Sequence, residues 1–266
     1  MVNNDALVSV IIACYNGEKF IDQCMDMLIN QTYSNIEIIV CDDSSTDNSL
    51  GLLKQWAIKD SRVKILHNDK NLYAAATRNR CFEIAKGDYF CIQDIDDKSP
   101  QNRIERLVDE MQKTKADFIS SAMRCFNADN QMTKKVIKHK NKPTKWDFLW
   151  GISFCHPATI FTRQCIQAVN GYRVSDETRR CQDYDMFMRL YACGYKGMNI
   201  SEPLYYYRLD DNTKKRGANY SATMCEFRVR KYGFKILRLP VAISYIFSLK
   251  PLFAFVIKWL DTKVLQ

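Results

Sequence analysis

The chain lacks the G-x-G-x-x-G turn that cradles a dinucleotide after a first strand. Its corresponding turn is Ala13-Cys14-Tyr15-Asn16-Gly17, which argues against a dinucleotide-binding oxidoreductase. No C-x-x-C or C-x-x-H pair occurs, and the 11 cysteines are odd in number, so neither a structural zinc site nor a disulfide framework is expected. Cys14, Cys41 and Cys91 instead sit in apolar runs, where cysteine acts as a small hydrophobe, and a reducing compartment is expected. There is no unbroken apolar stretch of ~20 residues to span a membrane. Met1 to Asp5 does not read as a signal peptide. Aromatic-basic interleaving of the nucleic-acid-binding kind, internal repeats and low-complexity linkers are also missing.

The 266 residues suffice for one large α/β domain or two small ones. Hydrophobic residues make up 47% and charged residues 26%, as in an ordinary globular protein. Lys and Arg number 39 against 30 Asp and Glu, a net charge of +9, so an anionic partner is expected: a nucleotide, an acidic polymer or a membrane surface.

Val8 to Cys14 is nearly all apolar, as a strand buried on both faces would be. Helical spacing follows over Glu18 to Asn30. Further strands are predicted at Ile36 to Cys41, Val63 to His67 and Asp88 to Gln93, with helices after Asp47 and over Tyr73 to Ala85, the latter closed by Gly87 as a C-cap. This alternation predicts a mostly parallel sheet with helices on both faces, whose ligands bind beyond the carboxyl ends of the strands. Cys14-Tyr15-Asn16, Asp42-Asp43 and Asp94-Ile95-Asp96-Asp97 all stand at such ends. After Pro100 the expectations are a helix on Ile104, Leu107, Val108 and Met111, a strand at Phe118-Ile119-Ser120 and an exposed loop or hairpin over Asn127 to Lys145. A helix opened by Gln182-Asp183 and a strand at Pro203 to Tyr207 follow.

Asp94, Asp96 and Asp97 place three carboxylates within four positions. Such like charges repel unless a cation lies between them, and all-oxygen ligands suit Mg²⁺ or Mn²⁺. Taken alone, the same run reads first as a polar loop capping the next helix, and only the rest of the chain favours the cation.

In order along the chain stand Val8 to Asn16, Gln31-Thr32-Tyr33, Ile36 to Ser49, Asn71 to Asn79, Asp94-Ile95-Asp96-Asp97, His156-Pro157, Gly171-Tyr172-Arg173, Gln182-Asp183-Tyr184-Asp185 and Tyr207-Arg208. This ordered set resembles a family 2 glycosyltransferase of the bacterial polysaccharide or lipopolysaccharide type. The sequence departs from that pattern at Ala13 (usually Pro), at Leu72 and Ala74, and at Gln182 (commonly Glu). The resemblance implies a glycosyltransferase-A fold and transfer of a sugar from a nucleotide diphosphate, with inversion at the anomeric carbon. Tyr15 would stack on the base, beside Asn16. Asp42, ahead of Asp43, would accept a hydrogen bond from it, and Arg78 would position the nucleotide. Asp94 and Asp96 would hold ribose and metal (Mn²⁺ or Mg²⁺), with Asp97 a further metal ligand, and Asp183 would be the catalytic base.

Other positions keep two readings. His156 either touches acceptor or diphosphate or is a hydrogen-bonded core histidine. Gln182 and Arg208 stand beside acceptor or diphosphate, and Arg208, Lys214, Lys215 and Arg216 could clamp the diphosphate from a loop that orders on binding, the two lysines reading also as a solvated basic surface. Asp183 taken alone reads first as a helix N-terminal acid, and the motif around it favours the base. Family tendencies point to a UDP-sugar (glucose, galactose or their N-acetylamino forms) and a lipid-linked glycan acceptor.

A non-catalytic nucleotide-sugar-binding module is the rival of a different class. A sugar nucleotidyltransferase would need a Gly-rich phosphate loop, and a processive synthase would need membrane spans and Gln-x-x-Arg-Trp. The expected organisation is a catalytic domain over 1–225, divided into a nucleotide half (1–98) and an acceptor half (99–225), and a basic helical tail over 226–266. Arg228, Arg230, Lys231, Lys235 and Lys263 around its apolar residues suggest a peripheral anchor on the cytoplasmic membrane face, the alternative being a helix pair packed on the domain.

Overall fold

The computed structural model describes residues 6–209 and 220–264, with side chains through residue 257. Lys214, Lys215 and Arg216, and the side chains of Lys258, Asp261 and Lys263, lie outside the described residues. Eight strands form one sheet: β1 (Val8–Cys14), β2 (Ile36–Asp42), β3 (Val63–His67), β4 (Tyr89–Ile92), β5 (Phe118–Asn127), β6 (Met132–Ile137), β7 (Thr159–Thr162) and β8 (Gly197–Leu209). Their order is β3-β2-β1-β4-β7-β5-β6, with β8 parallel to β5. β1 runs parallel to β2 and β4, and β2 to β3, while β7 pairs antiparallel with β4 and β5. The sheet is thus mostly parallel, with an antiparallel insertion.

Strand alternation divides the core. Ile11, Ile39, Phe90, Phe118 and Phe161 face α3 (Tyr73–Ile84), α5 (Arg163–Ala168), α6 (Gln182–Ala192) and α7 (Tyr220–Ile236). Val10, Ile12, Ile38, Cys91 and Ile119 face α1 (Glu18–Ile29), α2 (Ser49–Lys59) and α4 (Arg103–Thr114). β1 and β2 therefore bury both faces, as their continuous apolar runs predict.

Three expectations change. Gly87 is no left-handed cap: α3 ends at an extended Ala85, and a Cβ at Gly87 would lie 2.5 Å from the Ser9 amide of β1, so close approach demands the glycine. β5 and β8 are far longer than Phe118–Ser120 and Pro203–Tyr207. Ser120 is buried there because its hydroxyl bonds Cys155 O at 3.0 Å, and Pro203 sits at a register shift, where no ladder N–H is needed.

The boundary expected at 225/226 falls inside α7. Val229, Arg230 and Phe234 are buried, and a side chain at Gly233 would collide with Met188 of α6. Arg230 is no lipid-facing base: Nε donates to Glu226 Oε1 (2.8 Å) and Nη1 to Leu149 O (3.0 Å). The rest of the tail, α8 (Val241–Ser248) and α9 (Lys250–Val264), leaves Val241, Tyr245, Ile246, Phe253 and Ile257 exposed. Among the described residues no helix is long and apolar enough to cross a membrane.

Candidate active site

Because β2, β1 and β4 are adjacent and parallel, their carboxyl ends bring the three predicted polar clusters to one rim. Tyr15 is half exposed there. Asn16 is spent on holding loops together: its amide donates to Ser45 Oγ (2.9 Å) and its Oδ1 accepts from Thr46 N (2.8 Å).

The two neighbouring aspartates differ in their surroundings. Asp42 is fully buried, with Oδ2 2.9 Å from His67 Nδ1 and Oδ1 without a partner. Asp43 borders the large cleft instead. Its Oδ1 accepts from Asn68 Nδ2 (2.7 Å) and Leu72 N (2.8 Å), and its Oδ2 from Tyr73 N (2.8 Å), which leaves Oδ2 a lone pair.

Five elements then converge. Arg78 of α3 donates to Asp94 Oδ1 at 2.5 Å, beyond β4. Its guanidinium lies 5.9 Å from the Tyr172 ring centroid. Tyr172 is pinned to α3 by reciprocal 2.8 Å bonds with the Asn79 side chain, and Gly171 before it adopts φ 64°, where any side chain would collide with Asn79. His156, just before β7, places Nε2 2.6 Å from the Tyr172 hydroxyl. Burial, with Arg78 nearby, lowers its pKa to about 3, so it is a neutral hydrogen-bonded histidine. Asp183 opens α6 and accepts from Tyr184 N at 2.8 Å. Although part of the residue reaches solvent, crowding around its carboxyl raises its pKa, an effect Asp94 strengthens while backbone N–H groups and Arg78 oppose it.

The carboxylate loop is braced from behind by residues that sequence reasoning missed. Arg103 reads as an ordinary helix start. It is buried, and donates to Gln93 Oε1 (2.6 Å), Ile92 O (2.7 Å) and Pro157 O (2.8 Å). Its guanidinium lies 4.6 Å from the ring centroid of Tyr205, whose hydroxyl accepts from Asp94 N at 3.0 Å. Arg208 is also part of this brace: its amide donates to Asp97 Oδ1 (2.7 Å), its Nε to Asp96 O (2.9 Å), and Phe20 and Phe126 each lie 4.7 Å from its guanidinium. Gln182, with its amide turned to donate, reaches Thr178 O (3.2 Å) and Arg179 O (3.0 Å), which ties the start of α6 to the turn before it.

Among the described residues no three acidic, histidine or cysteine side chains gather closely enough to enclose a cation. Asp94 and Asp96 are partly exposed, and the buried Asp97 Oδ2 lacks a partner. Asp97 is pushed well above the carboxylate range by burial, then by Asp94 and Asp96. That donor set fits a hard divalent ion held by one or two carboxylates and completed by substrate oxygens.

A cleft of about 950 Å³ runs from Tyr15, Asp43 and Tyr73 to Arg179, Arg180 and Arg228, a volume suited to a nucleotide. A second of about 700 Å³ shares Ala74, Arg179 and Arg180 with it and continues past Gln182, Tyr207 and Glu226 to Phe255. Tyr73 lies inside the Asn71 to Asn79 stretch without being singled out by it, and Arg179 and Arg180 fall outside every motif of the sequence.

The model of the family described as "Glycosyl transferase family 2" matches residues 9–167. The chain is 33% identical over 254 residues to EpsE of Bacillus subtilis (strain 168), which bears a glycosyltransferase name, covering 94% of this chain and 90% of EpsE. It is 31% identical over 206 residues to the Escherichia coli UDP-Glc:alpha-D-GlcNAc-diphosphoundecaprenol beta-1,3-glucosyltransferase WfaP, covering 76% and 77%. Among solved structures, Staphylococcus aureus TarS 1-349 with UDP-GlcNAc superposes with a TM-score of 0.72 at 17% identity, covering 92% of this chain and 71% of TarS. The Pyrobaculum calidifontis mannosyltransferase PcManGT, with GDP-Man and Mn²⁺, gives 0.58 at 16% identity, covering 93% and 74%. The fold is therefore the glycosyltransferase-A fold. The family match begins in β1 and ends in α5, taking in the whole carboxyl-end rim, so this chain belongs to glycosyl transferase family 2 and is a glycosyltransferase.

Proposed function

We propose that the enzyme transfers a hexosyl or N-acetylhexosaminyl group from a UDP-sugar to a hydroxyl of a lipid-linked glycan, inverting the anomeric centre, with Asp183 as base. The observation that carries this reading is the place of Asp183 at the start of α6, within electrostatic reach of the Arg78–Asp94 pair and with its proton affinity raised by burial. An attacking hydroxyl must lose its proton as the bond forms. A carboxylate whose proton affinity is raised above that of an ordinary aspartate is a suitable acceptor for it. His156 is neutral and occupied by Tyr172, so it suits alignment of Tyr172 and Arg78 better than proton transfer. Tyr15 offers a stacking face for the base, and Asp43, more than Asp42, an acceptor for a base N–H.

Asp94 and Asp96 would hold Mn²⁺ or Mg²⁺, with Asp97 behind them. A bound divalent ion supplies positive charge to offset the charge growing on the diphosphate. Arg78 fixes Asp94, while Arg103, Tyr205 and Arg208 fix the loop that carries it. The UDP-containing TarS complexes and the named activity of WfaP support the donor class and a lipid-linked acceptor, and the Mn²⁺ in PcManGT supports the metal.

Membrane contact at the cytoplasmic face is the second part of the reading. The apolar groove between α7 and α8 is lined by Leu239, Val241 and Tyr245 with Lys231 and Lys235, and Phe253 and Ile257 of α9 are exposed. Bases beside outward apolar residues suit an anionic lipid surface.

The test is a screen of UDP- and GDP-sugars with Mn²⁺ against lipid-linked glycan acceptors, with the product's anomeric configuration read by NMR. Inversion from a UDP-sugar is expected. A retained configuration would remove Asp183 as a single-step base.

A further inference from the structure

Tyr73 is the first residue of α3, yet its φ is 65°, in the left-handed region that favours glycine. A bulky residue persists there only if its surroundings hold it, and such strain gathers at ligand sites. The surroundings do hold it. Asp43 accepts from both Leu72 N and Tyr73 N at 2.8 Å, and Asn71 Oδ1 accepts from Tyr73 N at 3.1 Å. The ring is then left half exposed on the wall of the large cleft, in the same cavity as Tyr15. Arg179 lies over that ring, its guanidinium carbon 3.4 Å from the centroid. Glycine would relieve the backbone but could not seat Arg179.

The charges of this cleft are unbalanced. Arg179, Arg180 and Arg228 line it, and among the described residues none of the three forms an ion pair. The acids on the same wall are Asp43, which already accepts three hydrogen bonds, and Asp176. Tyr73 stands five residues before Arg78 on α3, about 7.5 Å along the helix at 1.5 Å per residue. A guanidinium stacked on an aromatic face keeps its edge donors available, and these match phosphate oxygens.

We propose that Arg179, seated on the Tyr73 ring, binds the diphosphate of the nucleotide donor, and that Tyr73 is the positioning residue that seats it. This rests on the donor reading above and adds a cation from the α6 side of the cleft to the charges that receive the leaving diphosphate. Arg179 is exposed and must be held to be useful. Its ring contact confines it, so less side-chain freedom is lost on binding.

The experiment is calorimetric titration of UDP and GDP, each beside its nucleoside, into the full chain and into Arg179→Ala, Tyr73→Gly, Tyr73→Phe and the Tyr73→Gly/Arg179→Ala double variant. The expected result is that Arg179→Ala weakens the diphosphate about tenfold or more, with the nucleoside changed less than about twofold, since a charge-assisted bond is lost only where phosphate is present. Tyr73→Gly should show the same selective loss without a lower melting temperature. Tyr73→Phe should retain affinity, and the double variant should be no weaker than Arg179→Ala alone. Unchanged UDP and GDP affinity in Arg179→Ala, or an equal loss for nucleoside and diphosphate, overturns the assignment of Arg179. Additive losses in the double variant overturn the positioning role of Tyr73. If the wild-type chain binds no nucleotide at all, the donor reading itself fails, and that outcome is distinct from the others.

Discussion

Replacing Arg103 with methionine should unfold the rim from behind. The side chain is 1% exposed and its guanidinium serves three acceptors: Gln93 Oε1, Ile92 O and Pro157 O. Each acceptor left unpaired in the interior costs about 1–3 kcal/mol. Methionine fills most of the volume and removes a desolvated cation, so the net loss should lie near the bottom of that sum, about 3 kcal/mol. Arg106 on the same helix is the internal control. It pairs with Asp109, Glu110 and Glu202, but its side chain is 33% exposed, so Arg106→Met should cost under about 1 kcal/mol. In urea titrations the Arg103 variant should lose about 1 M or more in midpoint, at a slope of up to about 3 kcal/mol per M. Its affinity for UDP should fall as well, because Tyr205, under the guanidinium, holds the Asp94 amide. Two variants of equal stability would refute the argument that burial and acceptor count set the cost.

Asp183 is raised by burial, so it takes up its proton at a higher pH than an ordinary aspartate, near 4. Transfer should fall as pH drops through that raised value, and a pH–rate profile with an acid limb no higher than about pH 4 would contradict the shift. By the same linkage the ionised carboxylate costs folding stability above its raised pKa, so Asp183→Asn should melt no lower than wild type at pH 7. Asp96→Ala, or excess EDTA on the wild type, should abolish metal-dependent donor turnover while circular dichroism stays unchanged; full activity in either case rules out the metal assignment. Tyr245→Glu and Phe253→Glu should weaken flotation with anionic vesicles and leave donor hydrolysis intact, whereas equal flotation of wild type and variants would remove the membrane face.

Strands β1, β2 and β4 were legible because most of their residues are buried. Continuous apolar runs such as Val8–Cys14 then mark strands by composition alone, and each ends where polar residues begin. Which of two adjacent aspartates faces the cleft was not legible. One step along a strand end reverses the direction of a side chain, and only the positions of His67 and Asn68 show that Asp42 turns inward and Asp43 toward the large cleft. The tail misled for a related reason. A basic residue in an apolar run reads as solvent-facing, but Arg230 is buried because Glu226, one turn away, and Leu149 O supply its partners. Arg208 was expected at the diphosphate, yet two phenylalanines distant in sequence draw it behind the aspartate loop. His156 and Tyr172 lie 16 residues apart, and nothing in either local sequence announces their hydrogen bond.

The central claim is that Asp183 accepts the proton of the attacking hydroxyl. Its most direct test is Asp183→Asn, assayed for sugar transfer and for UDP affinity in the same preparation. The account predicts transfer lower by about 10²–10⁴-fold with UDP affinity within about twofold of wild type. Transfer within about tenfold of wild type, in an assay limited by chemistry, would show that Asp183 only favours the start of α6 and that another group takes the proton.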